Sequence, residues 1–385
     1  MPASTSADLK YEQSPLKIDY SVRNLVRMNL NENLVLPENF IRSVTAKCLD
    51  KLSSRYYPSE LNEGEMYSLK VEIAKYCKCS PEMVCLGDGS DQLIDLLFRM
   101  KLRKAEDELV TVDPTFSLYA LMARRIGARV VQVPVKPFVS SSQVDAGFAL
   151  NEHDVIRACK SKSQGRARVL ALASPNNPTG VQYPLDQVKG IVESLPDVTI
   201  LLDEAYVEYA RYEATRLLGT CRNLIIMRTF SKAFALASHR LGYFLSSDPD
   251  FVRSFEDDFQ YPFPVAGFGV LVATELLRRR ATVLEWANRT VQLRSELLSG
   301  IEGMGKTKPN PPFLSGHNSE GNFILVQSPI ARKVAFELLK KYKIAVKLIE
   351  KIGPQSGFLR ITVGTKQLNA RLLYALRRII AARSA

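Results

Sequence analysis

Between residues 83 and 246 the chain repeats one unit: a short apolar run rich in β-branched residues, then a longer stretch with apolar residues at helical spacing. The runs are MVCLG (83–87), ELVTVD (108–113), ARVVQVPV (128–135), RVLALAS (168–174), VTILLDE (198–204), NLIIMRT (223–229) and RLGYFLS (240–246). Amphipathic segments such as TFSLYALMARRIG (115–127) and LDQVKGIVESL (185–195) separate several of them. A strand that is apolar on both faces must be covered on both, and the intervening helices supply the cover. The pattern predicts an α/β layer fold, with a large domain whose mostly parallel, seven-stranded sheet is flanked by helices.

The texture changes after residue 246. Residues 265–299 read as largely helical, followed by a Pro/Gly-rich connection (303–316). Strands NFILVQ (322–327), IAVKLI (344–349) and FLRITV (358–363) come next, then a last helix over 367–382. This predicts a smaller α+β domain. The expected division is an N-terminal arm over 1–28, a large domain over 53–264, and a small domain built from 29–52 and 265–385.

Composition excludes several classes of function. No apolar run is long enough to span a bilayer, so no membrane association is expected. The start, MPASTSADLK, lacks a basic stretch followed by an apolar one, so no secretory signal is expected. Lys and Arg outnumber Asp and Glu by 52 to 40, a net charge of +12. The charges are interspersed, with only short basic runs such as Arg278-Arg279-Arg280, so the excess does not point to nucleic acid. Cys77, Cys79 and Cys85 lie close together, but Cys-x-Cys-x5-Cys is not a zinc spacing, and His153, His239 and His317 are scattered; no metal is expected. Six cysteines are too sparse for a disulfide scaffold and fit a reducing, cytoplasmic setting.

Two phosphate motifs fail on context. Gly300–Thr307 matches G-x-x-x-x-G-K-T, yet what precedes it reads as helix and the prolines after it cannot be helix, the reverse of what a phosphate loop needs. GDGSDQ (87–92) opens like a dinucleotide fingerprint but lacks the third glycine.

In an open α/β sheet, ligands bind at the carboxyl ends of the strands. Four such ends carry an unusual set. After 83–87, Ser90 is expected as a helix N-cap, with the amides of Ser90, Asp91 and Gln92 facing an anion. After 168–174, Asn177 sits in the turn SPNNPTG and can donate to a ligand oxygen. Asp203 ends an apolar strand, where a carboxylate is costly to bury without a cationic partner, and Tyr206 follows three residues on. After 223–229 come Thr229, Ser231 and Lys232, with Arg240 beyond. Lys232 is embedded among Phe230, Ala233, Phe234 and Leu236, and desolvation favours the neutral amine that Schiff-base chemistry requires. Each piece alone has a structural explanation. Together they describe one ligand with an aldehyde, a protonated ring nitrogen, a ring oxygen and a phosphate, and pyridoxal 5′-phosphate carries all four.

With these residues in place, the sequence resembles the class I/II, fold-type-I pyridoxal-phosphate aminotransferases, and within them the histidinol-phosphate aminotransferases. The resemblance rests on NLNEN (29–33), RYYPS (55–59), GDGSDQ (87–92), DPTFSLY (113–119), SPNNPTG (174–180), DEAY (203–206), TFSKAFALASHRLGY (229–243) and LRITVGT (359–365), in that order. It implies that Lys232 joins the cofactor aldehyde and shuttles the substrate proton, that Asp203 keeps the ring nitrogen protonated, and that Tyr206 and Asn177 contact the ring hydroxyl. Phe116 would stack on the ring. Ser90, Asp91, Gln92, Thr229, Ser231 and Arg240 would hold the phosphate, joined by Tyr57 from a neighbouring subunit of a homodimer with shared sites. Arg360, Lys347 and Asn33 would bind substrate, an amino donor or an oxo-acid acceptor. Lys347 stands where the family often has arginine, and Pro264 where an asparagine is common. An aromatic amino-acid transaminase or a threonine-phosphate decarboxylase on the same scaffold remains an alternative.

Overall fold

The computed structural model describes residues 16–58, 64–139, 146–161, 165–305 and 314–382. Each of the seven expected runs is a strand. They form one sheet in the order Val84–Gly87, Gly242–Ser246, Leu224–Thr229, Thr199–Asp203, Arg166–Ala173, Asp107–Asp113, Arg129–Pro134. Gly242–Ser246 runs antiparallel to both its neighbours; the remaining pairs are parallel. The two-residue period of a strand divides the sheet's side chains between two cores. Val110, Leu170, Ile200 and Ile226 enter one, whereas Leu109, Val169, Leu201 and Ile225 enter the other. Helices must therefore cover both faces. Gly89–Lys101 does so on one, burying Leu93, Leu96 and Leu97. Leu185–Ser194 does so on the other, burying Val188, Ile191 and Val192.

A second sheet of five strands has the order Val26–Met28, Ile344–Ile352, Gln355–Thr362, Phe323–Gln327, Ser315–His317. The outer two, like the hairpin Lys136–Val139/Ala146–Ala149, are strands that the periodicity did not predict; runs of three or four residues are too short to display it. The helices Glu38–Leu49 and Gly267–Arg278, which the sequence grouped with this smaller sheet, bury their apolar sides in the larger sheet's core instead, through Val44 and Cys48 and through Val270, Ala273 and Leu277. Phe323 and Phe358 of the smaller sheet join that same cluster, so the carboxyl edge of the large sheet faces the smaller one across shared apolar contacts. Gly300 and Gly303 of the discounted phosphate motif lie inside the helix Arg280–Gly305; Lys306 and Thr307 fall outside the described residues.

One buried ion pair ties two central strand ends together. Arg228, 1% exposed, donates from Nε and Nη2 to Glu204 at 2.9 and 2.7 Å, and from Nη2 to Glu213 at 3.0 Å. Glu204 follows Asp203 directly, and Arg228 lies four residues before Lys232. Removing one partner strands a buried charge. Arg228→Ala is expected to cost about 3–5 kcal/mol in urea-unfolding experiments, and an apolar replacement of both residues much less.

Candidate active site

A cavity of about 350 Å³ opens at the carboxyl ends of the central strands. Of the expected residues, Ser90, Asp91, Phe116, Asn177, Asp203, Tyr206, Thr229, Ser231, Lys232, Arg240 and Arg360 all line it. They come from both sheets and from six chain segments, so the convergence is a product of the topology.

Lys232 follows the strand Leu224–Thr229. Its neighbours Phe230, Ala233, Phe234 and Leu236 are buried and fix the local backbone, leaving the amine pointed at the cavity. Nζ donates to the Leu30 carbonyl at 3.3 Å and lies 5.7 Å from the centre of the Tyr206 ring. Burial, reinforced by the Arg360 guanidinium, lowers its pKa to about 8.

Asp203 closes the strand Thr199–Asp203 and is 5% exposed. Burial pushes its carboxyl up to about 6, although two donors favour the ionised form. One is the Ala205 amide, at 2.9 Å to Oδ1. The other is the Tyr119 hydroxyl, at 2.5 Å to Oδ2. Tyr119 is fully buried, and nothing in the string DPTFSLY alone gives it a role in the site. Its position three residues after Phe116 was the available signal: one helical turn brings its ring edge-on to Phe116, with centroids 5.6 Å apart.

The anion end of the cavity differs in one detail from expectation. Asp88, not Ser90, occupies the cap position, and the helix starts at Gly89. Ser90 and Asp91 are therefore in its first turn, where backbone amides have no intrahelical acceptor. Gln92 turns back and accepts from the Asp88 amide at 2.8 Å, so its side chain braces the helix start and does not line the cavity. Gly89 has φ +73°, and a Cβ there would lie 2.6 Å from Arg240 Nη2, so only glycine lets the guanidinium approach this turn. Arg240 donates to Asp91 Oδ2 at 3.1 Å and to the Ala237 carbonyl at 3.2 Å. Thr229 Oγ1 donates to Ser231 Oγ at 3.0 Å.

At the opposite end Arg360, from Gln355–Thr362, donates to Asn177 Oδ1 at 2.5 Å and to the Asn29 carbonyl at 2.8 Å. Asn177 is thereby oriented from the smaller sheet. The Tyr206 hydroxyl accepts from Asn31 Nδ2 at 3.0 Å, and Asn31 is 1% exposed. Here the structure corrects a second expectation. Asn33, taken as a substrate contact, gives Nδ2 to the Ala233 carbonyl and uses Oδ1 to accept the amides of Val35 and Leu36. It organises the turn, and its neighbour Asn31 faces the cavity. Lys347 lines an adjoining chamber together with Arg360. Tyr57 does not line this chain's cavity; it is 74% exposed and stacks on Phe263, centroids 4.2 Å apart.

The chemistry that this arrangement permits is specific. A half-buried amine whose pKa is lowered to about 8 keeps a substantial neutral fraction that can add to a carbonyl. A buried carboxylate on the cavity wall favours a cation beside it. A helix start, two hydroxyls and an arginine at one end favour a phosphate.

Comparisons with known proteins agree with that chemistry. The sequence matches the family described as aminotransferase class I and II over residues 24–376. It is 32% identical to the histidinol-phosphate aminotransferase of Gloeobacter violaceus over 311 residues, 81% of this chain and 80% of that one. It is 29% identical to histidinol-phosphate aminotransferase 1 of Psychrobacter arcticus, with 94% and 89% of the two chains covered. In three dimensions it is similar to the histidinol-phosphate aminotransferase from Sinorhizobium meliloti, a crystal structure in complex with pyridoxal-5′-phosphate. The TM-score is 0.79 at 23% sequence identity, covering 93% of this chain and 91% of that one.

Proposed function

The chain belongs to the class I and II aminotransferases, and from that premise we propose that it transfers the amino group of histidinol phosphate to an oxo acid, 2-oxoglutarate by family analogy, with pyridoxal 5′-phosphate as cofactor. The observation that carries this reading is the convergence of Lys232, Asp203 and Arg360 on one cavity from three distant parts of the chain. The buried carboxylate of Asp203 calls for a cationic group, and Arg240, Thr229, Ser231 and the helix start at Gly89 call for a phosphate, so the residues fit the cofactor.

When bound, pyridoxal phosphate supplies an aldehyde carbon and a ring that withdraws electrons from the reacting centre. Asp203 would keep the ring nitrogen protonated, with Tyr119 fixing the carboxylate's orientation. Tyr206 and Asn177 would hold the ring oxygen, each set in place by another residue, Asn31 and Arg360 respectively. Phe116 would cover the ring. Lys232 Nζ would take the proton from the substrate's Cα and return it to the cofactor's aldehyde carbon, two bonds away. Arg360, backed by Lys347 in the chamber beyond, would hold the donor's phosphate, and that second cation favours a phosphorylated donor over an aromatic amino acid.

The active species would be a homodimer with shared sites. Tyr56, Tyr57, Tyr261 and Phe263 are all exposed, which suits burial against a second copy, and Tyr57 would reach the partner's cofactor phosphate. No helix among the described residues is long and apolar enough to cross a membrane, and all six cysteines are free, which suits a reducing cytoplasm.

Two measurements test this. The yellow holoenzyme is mixed with histidinol phosphate, phenylalanine or O-phosphothreonine in the absence of an oxo acid. Histidinol phosphate is expected to bleach it fastest; bleaching by phenylalanine alone would overturn the substrate. The second is pH dependence. With a pKa of about 8, roughly a quarter of the Lys232 amines are neutral at pH 7.5, against about one in a thousand for an ordinary lysine. Only the neutral amine adds to an aldehyde. The rate of cofactor uptake by cofactor-free protein should therefore rise with pH and level off above about 8.

A further inference from the structure

The stretch 203–208 presents two faces. Asp203 and Tyr206 line the cavity, whereas Glu204 and Glu208 turn away from it, toward Arg228 and Tyr76. One short helical turn, Val207–Tyr209, binds the two faces together. The Val207 amide donates to the Glu204 carbonyl at 3.1 Å and the Tyr209 amide to the Tyr206 carbonyl at 3.0 Å. A displacement of Glu208 is therefore passed to Tyr206.

Three carboxylates, Glu204, Glu208 and Glu213, gather near one guanidinium. Arg228 commits its donors to Glu204, to Glu213 and, from Nη1, to the Cys77 thiol at 3.4 Å. Glu208 accepts only from the Tyr76 hydroxyl, at 3.3 Å to Oε1, and Oε2 is buried with no partner among the described residues. The other groups that face it carry no charge: burial pushes Tyr76, Cys77, Tyr209 and Tyr243 up. On the side of the helix Arg280–Gly305, Arg294 is taken by the Tyr209 and Gly321 carbonyls and by Glu320. Neither arginine is left to bond a charged Glu208. Burial, with the Glu204 charge beside it, raises the Glu208 carboxyl to about 7, although Arg228 opposes the shift. The residue as a whole is half-buried, so the way out to water is short.

We propose that Glu208 is a positioning residue: its neutral form keeps the turn Val207–Tyr209 packed and Tyr206 aimed at the cofactor's ring oxygen, and its ionisation draws the turn toward water. The carboxyl has its ordinary value of 4.5 in the opened turn and about 7 in the packed one. Between those values the packed form holds a proton that the opened form has released. Opening is thus favoured more and more as pH rises through that window, and levels off above about 7. The inference goes beyond the amino-transfer reading and rests on it only for the effect on turnover.

Hydrogen exchange of the full chain, with and without cofactor and corrected for the base-catalysed rate of free amides, reads the turn directly at Tyr209 and Ala210. From about pH 5 to about pH 7.5 their protection in the wild type should fall about tenfold or more relative to the helix Leu185–Ser194. Glu208→Gln has the same shape and no charge at any pH, and should show no such fall. The Tyr76 hydroxyl favours the ionised form, so Tyr76→Phe should carry the fall to higher pH before it levels off. A merely structural loosening would be equal at all pH values. In the holoenzyme, the ratio of the Glu208→Gln kcat to the wild-type kcat should rise severalfold over the same interval, the titration of Lys232 being common to both. Wild-type protection that ignores pH, a fall that persists in Glu208→Gln, or a constant kcat ratio would overturn the positioning role. Failure of every amine donor to bleach the holoenzyme would sink the amino-transfer reading instead and leave the exchange result to decide on the turn.

Discussion

Lys232→Ala is expected to lower amino transfer by at least about 10⁴-fold, because one side chain performs two tasks that each contribute on the order of 10²-fold or more, covalent capture and proton transfer. The loss should be chemical and not structural. The Lys232 side chain makes one hydrogen bond, a 3.3 Å contact to the Leu30 carbonyl, and its hydrophobic neighbours stay in place without it. Urea unfolding of cofactor-free protein at pH 7 should show no loss of stability, since burial there penalises the charged amine. The sign can be checked against pH. Folding lowers this pKa from its ordinary 10.5 to about 8, so between those values the unfolded chain binds more protons than the folded one. Wild-type protein should therefore gain stability relative to Lys232→Ala as pH rises through that window. A small primary amine added to the variant should restore part of the proton transfer, whereas a tertiary amine should not. A variant that retains more than a hundredth of the wild-type rate would remove Lys232 from the mechanism.

The same chemistry explains what could be read from the chain. Six of the seven large-sheet strands were legible because they are buried on both faces, and a continuous apolar run between helical segments has few other solutions; the edge strand Arg129–Pro134 is only part-buried and was legible from its β-branched run Val130, Val131 and Val133. Lys232, Asp203 and Arg240 were legible because each is a polar residue at the end of such a run. Less visible were contacts that depend on which turn a backbone takes. Asn31 and Asn33 are two residues apart in the same NLNEN string; Asn31, with left-handed backbone at φ +55°, lines the cavity, whereas Asn33 is engaged by the turn at Val35 and Leu36, and the string itself does not distinguish them. Gln92 was expected to offer its backbone amide, and its side chain was not foreseen: with the cap two residues earlier, at Asp88, that side chain accepts from the Asp88 amide and braces the helix start. The helix Glu38–Leu49 carries its buried stripe openly in Val44 and Cys48, but nothing in a stripe says which of two sheets it will cover.

Asp203→Asn should reduce turnover by about 10²–10³-fold, the typical loss when a preorganised charge at a developing centre is removed. An amide matches the carboxylate in shape but carries no charge, so the ring nitrogen would lose the partner that keeps it protonated. The phosphate end of the cavity is untouched, so the variant should still retain the cofactor and remain coloured. Its stability profile gives a second readout. Burial raises the carboxyl of Asp203 from its ordinary 3.8 to about 6, so between those values the folded protein holds a proton that the unfolded chain has released. Cofactor-free wild-type protein should lose stability relative to Asp203→Asn as pH rises from about 4 to about 6. Tyr119→Phe separates orientation from charge. The hydroxyl that donates to Asp203 Oδ2 favours the ionised form, so removing it should move the wild-type stability loss to higher pH. Turnover should fall by about tenfold, the value of one hydrogen bond to a charged group, because the carboxylate is present but no longer held. If Asp203→Asn turns over at the wild-type rate while Tyr119→Phe does not, the tyrosine acts on the reaction directly and the pairing described here is incidental.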